Sequence, residues 1–242
     1  MTAPAWTLAI ETSTRQGSLA LLQDGRFCRE LPLELGTAHG QSLLPGVASL
    51  LRQQQLKPGD LRLVAVSQGP GSYTGLRVGV VCAKLLAWSL QIPLVAVDTL
   101  QALAAGHETP AERLWVVTDA QRDAVYAACF SLKTPHVPQT LVPTLVLPVQ
   151  QLATQIHAGD LVRGLAVDKL LEAAPEMART LVPGLAGQAG GTLLSPTARW
   201  VGQEGIAAFG RGELSDARSL TPVYLRQSSA ETQWERLHPH AG

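Results

Sequence analysis

Ten residues, Gln68-Gly69-Pro70-Gly71-Ser72-Tyr73-Thr74-Gly75-Leu76-Arg77, constrain this chain more than any other stretch. An apolar run, Leu61–Val66, precedes them and reads as a buried strand. A small-residue-rich apolar segment, Leu76–Leu90, follows and reads as a buried helix. Strand, glycine loop and helix in that order aim backbone N–H groups outward at a helix N-terminus, a favourable place for an anion. Gly69, Gly71 and Gly75 fall within seven residues. Glycine admits φ > 0 and close approach of a second backbone or a ligand. The same pattern also serves as a tight strand-to-helix turn that binds nothing.

The flanking pattern supplies a sheet for this turn. Trp6–Ile10, Gly17–Leu22 and Arg26–Leu33 read as three antiparallel strands, the last two joined at Asp24-Gly25, a strong hairpin signal. Between the first two lies the polar turn Glu11-Thr12-Ser13-Thr14. An acid with three hydroxyls there can meet a phosphate or a metal-bound water, or can cap its own turn. Thr37–Leu56 reads as a helix with Leu43, Leu44, Val47, Leu50 and Leu51 on one face. His39 sits near its start, where a cap or a surface group is the commoner role. After the glycine loop come a strand at Leu94–Val97 and a short helix, Leu100–Ala105, capped by Asp98. Three antiparallel strands followed by parallel strands with crossover helices predict a mixed sheet covered on both faces, the actin-like (ribonuclease-H-like) lobe.

Gly106–Ala111 reads as a boundary, giving lobes at 1–108 and 109–242, the second with an extended C-terminal tail. Arg113–Thr118 and Val125–Ser131 repeat the opening motif, and Asp119 stands where Glu11 stands in the first lobe. Beyond them the expectation is an extended connection containing a strand over Lys133–Pro148 and a short helix at Val149–Ile156. A strand at Leu161–Leu165, a glycine-rich irregular stretch at Pro175–Leu194, a helix at Pro196–Gly210 and an extended piece at Leu220–Leu225 follow, with a polar tail. Net charge is zero and no basic tract is present, so a protein that grips nucleic acid unaided is not expected. Three dispersed cysteines, no leader-like N-terminus and no long uncharged apolar run point to a soluble chain of the reducing cytoplasm.

Several short segments together carry a family resemblance. They are Leu8-Ala9-Ile10-Glu11-Thr12-Ser13, His39 with Leu43-Leu44-Pro45, Gly69–Arg77 with Val78-Gly79, Val97-Asp98-Thr99-Leu100, Asp119-Ala120-Gln121-Arg122 with Val125-Tyr126, and Pro222-Val223-Tyr224-Leu225-Arg226. With these the chain resembles the TsaB (YeaZ) family of tRNA threonylcarbamoyladenosine biosynthesis, over residues 8–226; about 133–215 matches only in length and character. The resemblance implies a two-lobed actin-like fold. It also implies association with the catalytic paralogue TsaD, which transfers threonylcarbamoyl to N6 of adenosine 37 in tRNAs reading codons that begin with A. A third implied partner is the small ATPase TsaE, with tRNA met only through the complex.

The catalytic paralogue places two metal-binding histidines four residues apart after the next strand. Aligning on Leu94–Val97 brings Thr99 and Leu103 to those positions, and no pair among the six histidines has ligand spacing on a predicted helix. No metal of its own and no catalytic residue are therefore expected. Glu11, Thr12, Ser13, Ser72, Thr74 and Arg77 remain candidates for an anion or nucleotide, although no Walker-type lysine is present. No cofactor is otherwise expected, with a nucleotide at a subunit interface left open. The helices around Leu43 and Leu76–Leu90 offer a helical interface to a paralogue or a second copy. Its candidate residues are His39, Leu43, Val47, Leu50, Gly79, Ala83 and Ala87. The competing readings are an independent actin-fold ATPase or kinase and a metallopeptidase-like hydrolase.

Overall fold

The computed structural model describes residues 6–33, 39–175 and 195–225. The opening meander is β1 (Trp6–Glu11), β2 (Ser18–Gln23) and β3 (Arg26–Pro32), followed by α1 (His39–Gln53). Then come β4 (Leu63–Gly69), α2 (Tyr73–Leu90), β5 (Leu94–Asp98) and α3 (Thr99–Ala105). The second lobe adds β6 (Ala111–Asp119), β7 (Ala124–Leu132), β8 (Gln139–Pro148), α4 (Val149–Ala153), β9 (Leu161–Arg163) and α5 (Val167–Ala173). The last described helix is α6 (Ala198–Gly210). The short helix α5 has no counterpart in the sequence reading. The irregular stretch, the polar tail and Arg226 lie outside the described residues.

The five-stranded sheet runs β3-β2-β1-β4-β5 and the four-stranded sheet β8-β7-β6-β9. In each, an antiparallel meander is joined by a parallel strand beside its first member: β4 beside β1, and β9 beside β6. The second sheet thus repeats the first without a β5, and Glu11 and Asp119 end equivalent strands. The echo between Glu11-Thr12 and Asp119-Ala120 has this as its structural cause.

Alternation along β1 and β2 sorts the layers. Leu8, Ile10, Leu19 and Leu21 face α1 and α2, whereas Ala9, Ala20, Leu22 and Ala65 face α6. The small residues on that second face are what α6 requires. A Cβ on Gly202 would lie 2.3 Å from Leu22 and one on Gly205 2.5 Å from Ala65, so the helix rides directly on the sheet. The C-terminal part of the chain therefore returns to pack on the first sheet, although it follows the second lobe in sequence. α3 lies between the lobes, its Leu100, Leu103 and Ala104 sharing a core with Leu114, Val116, Ala128 and Phe130. Asp98 fastens the same seam: it caps α3 through the N–H groups of Leu100 (2.7 Å) and Gln101 (3.1 Å), and Thr144 of β8 donates to it at 2.8 Å.

Helix α2 is not buried throughout. Gly79, Val80, Ala83 and Ala87 face inward, but Val81, Leu85 and Trp88 are 54, 59 and 61% exposed. An outer-layer helix has one face on its sheet, and a sequence apolar all round leaves the other face apolar in solvent.

Between α3 and α6, Gln101 Nε2 donates to Glu204 at 2.6 Å. Burial pushes the Glu204 carboxyl up to about 7, against the smaller opposing effects of Gln101 and Arg211. A carboxyl raised in the folded state adds stability that is complete below its unfolded value of 4.5 and is lost as pH rises through about 7. Glu204→Gln should match the parent below pH 4.5 and exceed it by about 3 kcal/mol above pH 8. Urea melts across that range check this, and equal stabilities at high pH would refute it.

Candidate functional site

The glycine loop and the polar turn meet at the carboxyl ends of β1 and β4. Ser72 caps α2, its Oγ accepting from Gly75 N at 3.3 Å. Ser72 N donates to Ser13 O at 2.6 Å, which ties the loop to the turn, while Gly71, Ser72 and Thr74 stay exposed to solvent. Glu11 is fully buried and accepts from Ser13 N; of the two roles for this acid, turn capping is the one the geometry displays. Thr12 is also fully buried, its Oγ1 without a hydrogen-bond partner among the described residues.

Three glycines admit this packing. A Cβ on Gly71 would lie 2.5 Å from Ser13 O, one on Gly75 2.1 Å from Thr12 O, and one on Gly79 2.1 Å from Thr12 Oγ1. The inner side of the loop is thus occupied by the backbone of Thr12 and Ser13 and by the Thr12 side chain. Thr74 and Arg77 are exposed on the outer side of α2. Arg77 lies 4.1 Å from the Tyr73 ring centroid and donates from Nε to Tyr224 Oη at 3.0 Å. Tyr73 and Tyr224 pack with ring centroids 4.6 Å apart.

Tyr224 arrives from the far end of the chain. Val223 N donates to Gln68 O at 2.8 Å, and Val223 O would contact a Cβ on Gly69 at 2.7 Å. Gly69 has φ +120°, so both its conformation and its crowding require glycine. Lys84 Nζ on α2 holds the preceding segment through the carbonyls of Leu220 (2.8 Å) and Arg218 (3.3 Å). The Gly69–Arg77 and Pro222–Tyr224 blocks, remote in sequence, thus form one assembly.

The expected interface residues divide differently. Leu43, Val47, Leu50, Gly79, Ala83 and Ala87 are buried inside the lobe, closing the sheet face against α1 and α2. They are unavailable to a partner. His39 opens α1. The solvent side of the same helices carries Leu44 (58% exposed), Val81, Leu85 and Trp88 instead. Positions 81, 85 and 88 are four and three apart and form one stripe.

Thr99 and Leu103 are buried in α3. Among the described residues no three His, Cys, Asp or Glu side chains converge as a metal-ion group, and no helix is long and apolar enough to cross a membrane.

Two repeated sheets sharing a central helix define a two-lobed actin-like α/β protein. The sequence profile of the family TsaD, tRNA N6-adenosine threonylcarbamoyltransferase, matches residues 31–177. The chain is 33% identical to the tRNA threonylcarbamoyladenosine biosynthesis protein TsaB of Bacillus subtilis, over 94% of this chain and 96% of that protein. The Escherichia coli TsaB is 35% identical over 50% of this chain and 53% of its own. Among solved structures, YeaZ from Pseudomonas aeruginosa superposes with a TM-score of 0.71 at 29% identity, covering 91% of this chain and all of that one. The chain belongs to the TsaB (YeaZ) family.

Proposed function

We propose that this protein is a non-catalytic subunit of a cytoplasmic complex that transfers threonylcarbamoyl to N6 of adenosine 37 in tRNA. It binds a TsaD-like catalytic paralogue through the outer face of α1 and α2. The observation that carries this reading is the stripe Val81, Leu85 and Trp88, apolar and more than half exposed on a helix whose other face is fully engaged. Exposed apolar stripes of this kind mark protein interfaces. The occupant is argued from likeness: the profile of the transferase family matches this chain across α1 and α2. A partner of the same fold presents an equivalent helix pair, and two such pairs associate about a pseudo-two-fold axis. A second copy of this chain is the alternative occupant when the paralogue is absent.

The non-catalytic role is supported by Thr99 and Leu103, where the transferase has its imidazoles by the alignment above. Zero net charge accords with tRNA reaching the complex through another subunit. The ATPase TsaE belongs to the same proposal as the third component. Co-purification of this chain with the paralogue, followed by light scattering on the eluted complex, tests it; two separate species would refute it.

A further inference from the structure

A cleft of about 720 Å3 opens beside the start of β2, away from the glycine loop, and its walls come from both lobes. Gln16–Ser18 and Glu30 line it from the first sheet, and Arg163 at the end of β9 lines it from the second. Two guanidinium groups face this cleft without an acid of their own. Arg163 is half-buried, desolvation holds its pKa below the ordinary arginine range, and its side chain makes no hydrogen bond or ion pair with the described residues. Its charge also discourages protonation of His107 in the same wall, second to the effect of burial. Arg199, in the first turn of α6, packs its guanidinium 4.5 Å from the Trp200 ring centroid and 4.9 Å from that of Phe27. Its Nε is buried and has no acceptor among the described residues.

Glu30 and Glu108 line the same cleft, but among the described residues neither forms an ion pair with either guanidinium. Glu30 Oε1 accepts from Ser18 Oγ at 2.9 Å and from the backbone N–H of Arg199 at 3.1 Å, fixing the start of α6. Glu108 is exposed. Removing a guanidinium from water without a paired anion is costly, and two in one cleft compound the cost. An oxyanion bridging both guanidinium groups relieves it, because planar N–H forks match phosphate oxygens.

We propose that this cleft binds a phosphate-class oxyanion between Arg163 and Arg199. The site is separate from the glycine loop and from the outer face of α1 and α2, so it stands whether or not the partner assignment does. The indole of Trp200 is already stacked on the His136 ring at 4.5 Å and lies under Arg199. Recognition therefore rests on the charged group rather than on a stacked base.

Isothermal titration of the full chain with orthophosphate, pyrophosphate and ADP, at low ionic strength, tests this. The expected result is saturable binding of pyrophosphate that weakens about tenfold or more in Arg163→Gln and is only partly restored in Arg163→Lys, which keeps the charge but not the planar fork. Tighter binding of ADP than of pyrophosphate supports the site and makes the phosphate that of a nucleotide; equal or weaker binding supports it as a site for the free oxyanion. No saturable binding of any of the three overturns the proposal. So does unchanged affinity in an Arg163→Gln protein that melts like the parent.

Discussion

In the proposed assembly, the double substitution Leu85→Glu with Trp88→Glu should abolish association with the catalytic paralogue and leave the fold intact. Both side chains are about 60% exposed, so replacing them removes little buried area from the isolated chain. At the interface each becomes a carboxylate in an apolar contact. A buried anchor of this size is worth about 2 kcal/mol or more, and an unpaired charge adds its desolvation cost. Together they weaken binding by at least about three orders of magnitude. Leu50→Glu is the contrasting control: Leu50 is fully buried between α1 and the sheet, and a charge there disrupts the lobe itself. Titration calorimetry and circular dichroism separate the outcomes. A double variant that binds like the parent removes α2 from the interface.

Gly75→Ala should destabilise the protein by about 3 kcal/mol, opposite to what its helix position alone suggests. In an exposed helix, alanine in place of glycine stabilises by about 1 kcal/mol. Here the added Cβ meets Thr12 O at 2.1 Å, and that oxygen belongs to the backbone turn that β1 and β2 fix in place. Overpacking against backbone costs about 1–3 kcal/mol or more, because no rotamer change relieves it. Gly59 is the control, since nothing lies within 4 Å of its Cβ position. Denaturant melts of the two alanine variants decide the matter. A stabilised Gly75→Ala protein would mean that the Thr12 turn gives way and does not hold the start of α2.

Much of the fold is written in local periodicity. The alternation Leu8, Ala9, Ile10 and the small-residue helix after Gly75 determine strand, loop and helix, and the meander repeated at Asp119 announces the second sheet. The packing of α6 on the first sheet is not local: Gly202 and Gly205 make sense only against Leu22 and Ala65, which are far away in sequence. The inward face of α2 is ambiguous in sequence for a related reason. Gly79, Ala83 and Ala87 form a stripe suited to close packing, and spacing alone cannot say whether sheet or partner provides the other surface. The sheet does, with Thr12 against Gly79. Val81, Leu85 and Trp88 carried the complementary signal, because large apolar residues opposite a small-residue face have nowhere inside to go. Arg77, a candidate for an anion, lies against Tyr73 and Tyr224. The tyrosine from the C-terminal segment was visible as a motif but not as a neighbour.

Threonylcarbamoyl transfer to tRNA, assayed with the catalytic paralogue, the ATPase and an activated threonylcarbamoyl donor, with and without this chain, decides whether the protein is a non-catalytic subunit. The expected result is no transfer by this chain alone, strong stimulation when it is added to the other components, and loss of that stimulation with the Leu85→Glu, Trp88→Glu variant. Transfer by the chain alone, or equal modification in its absence, would contradict it.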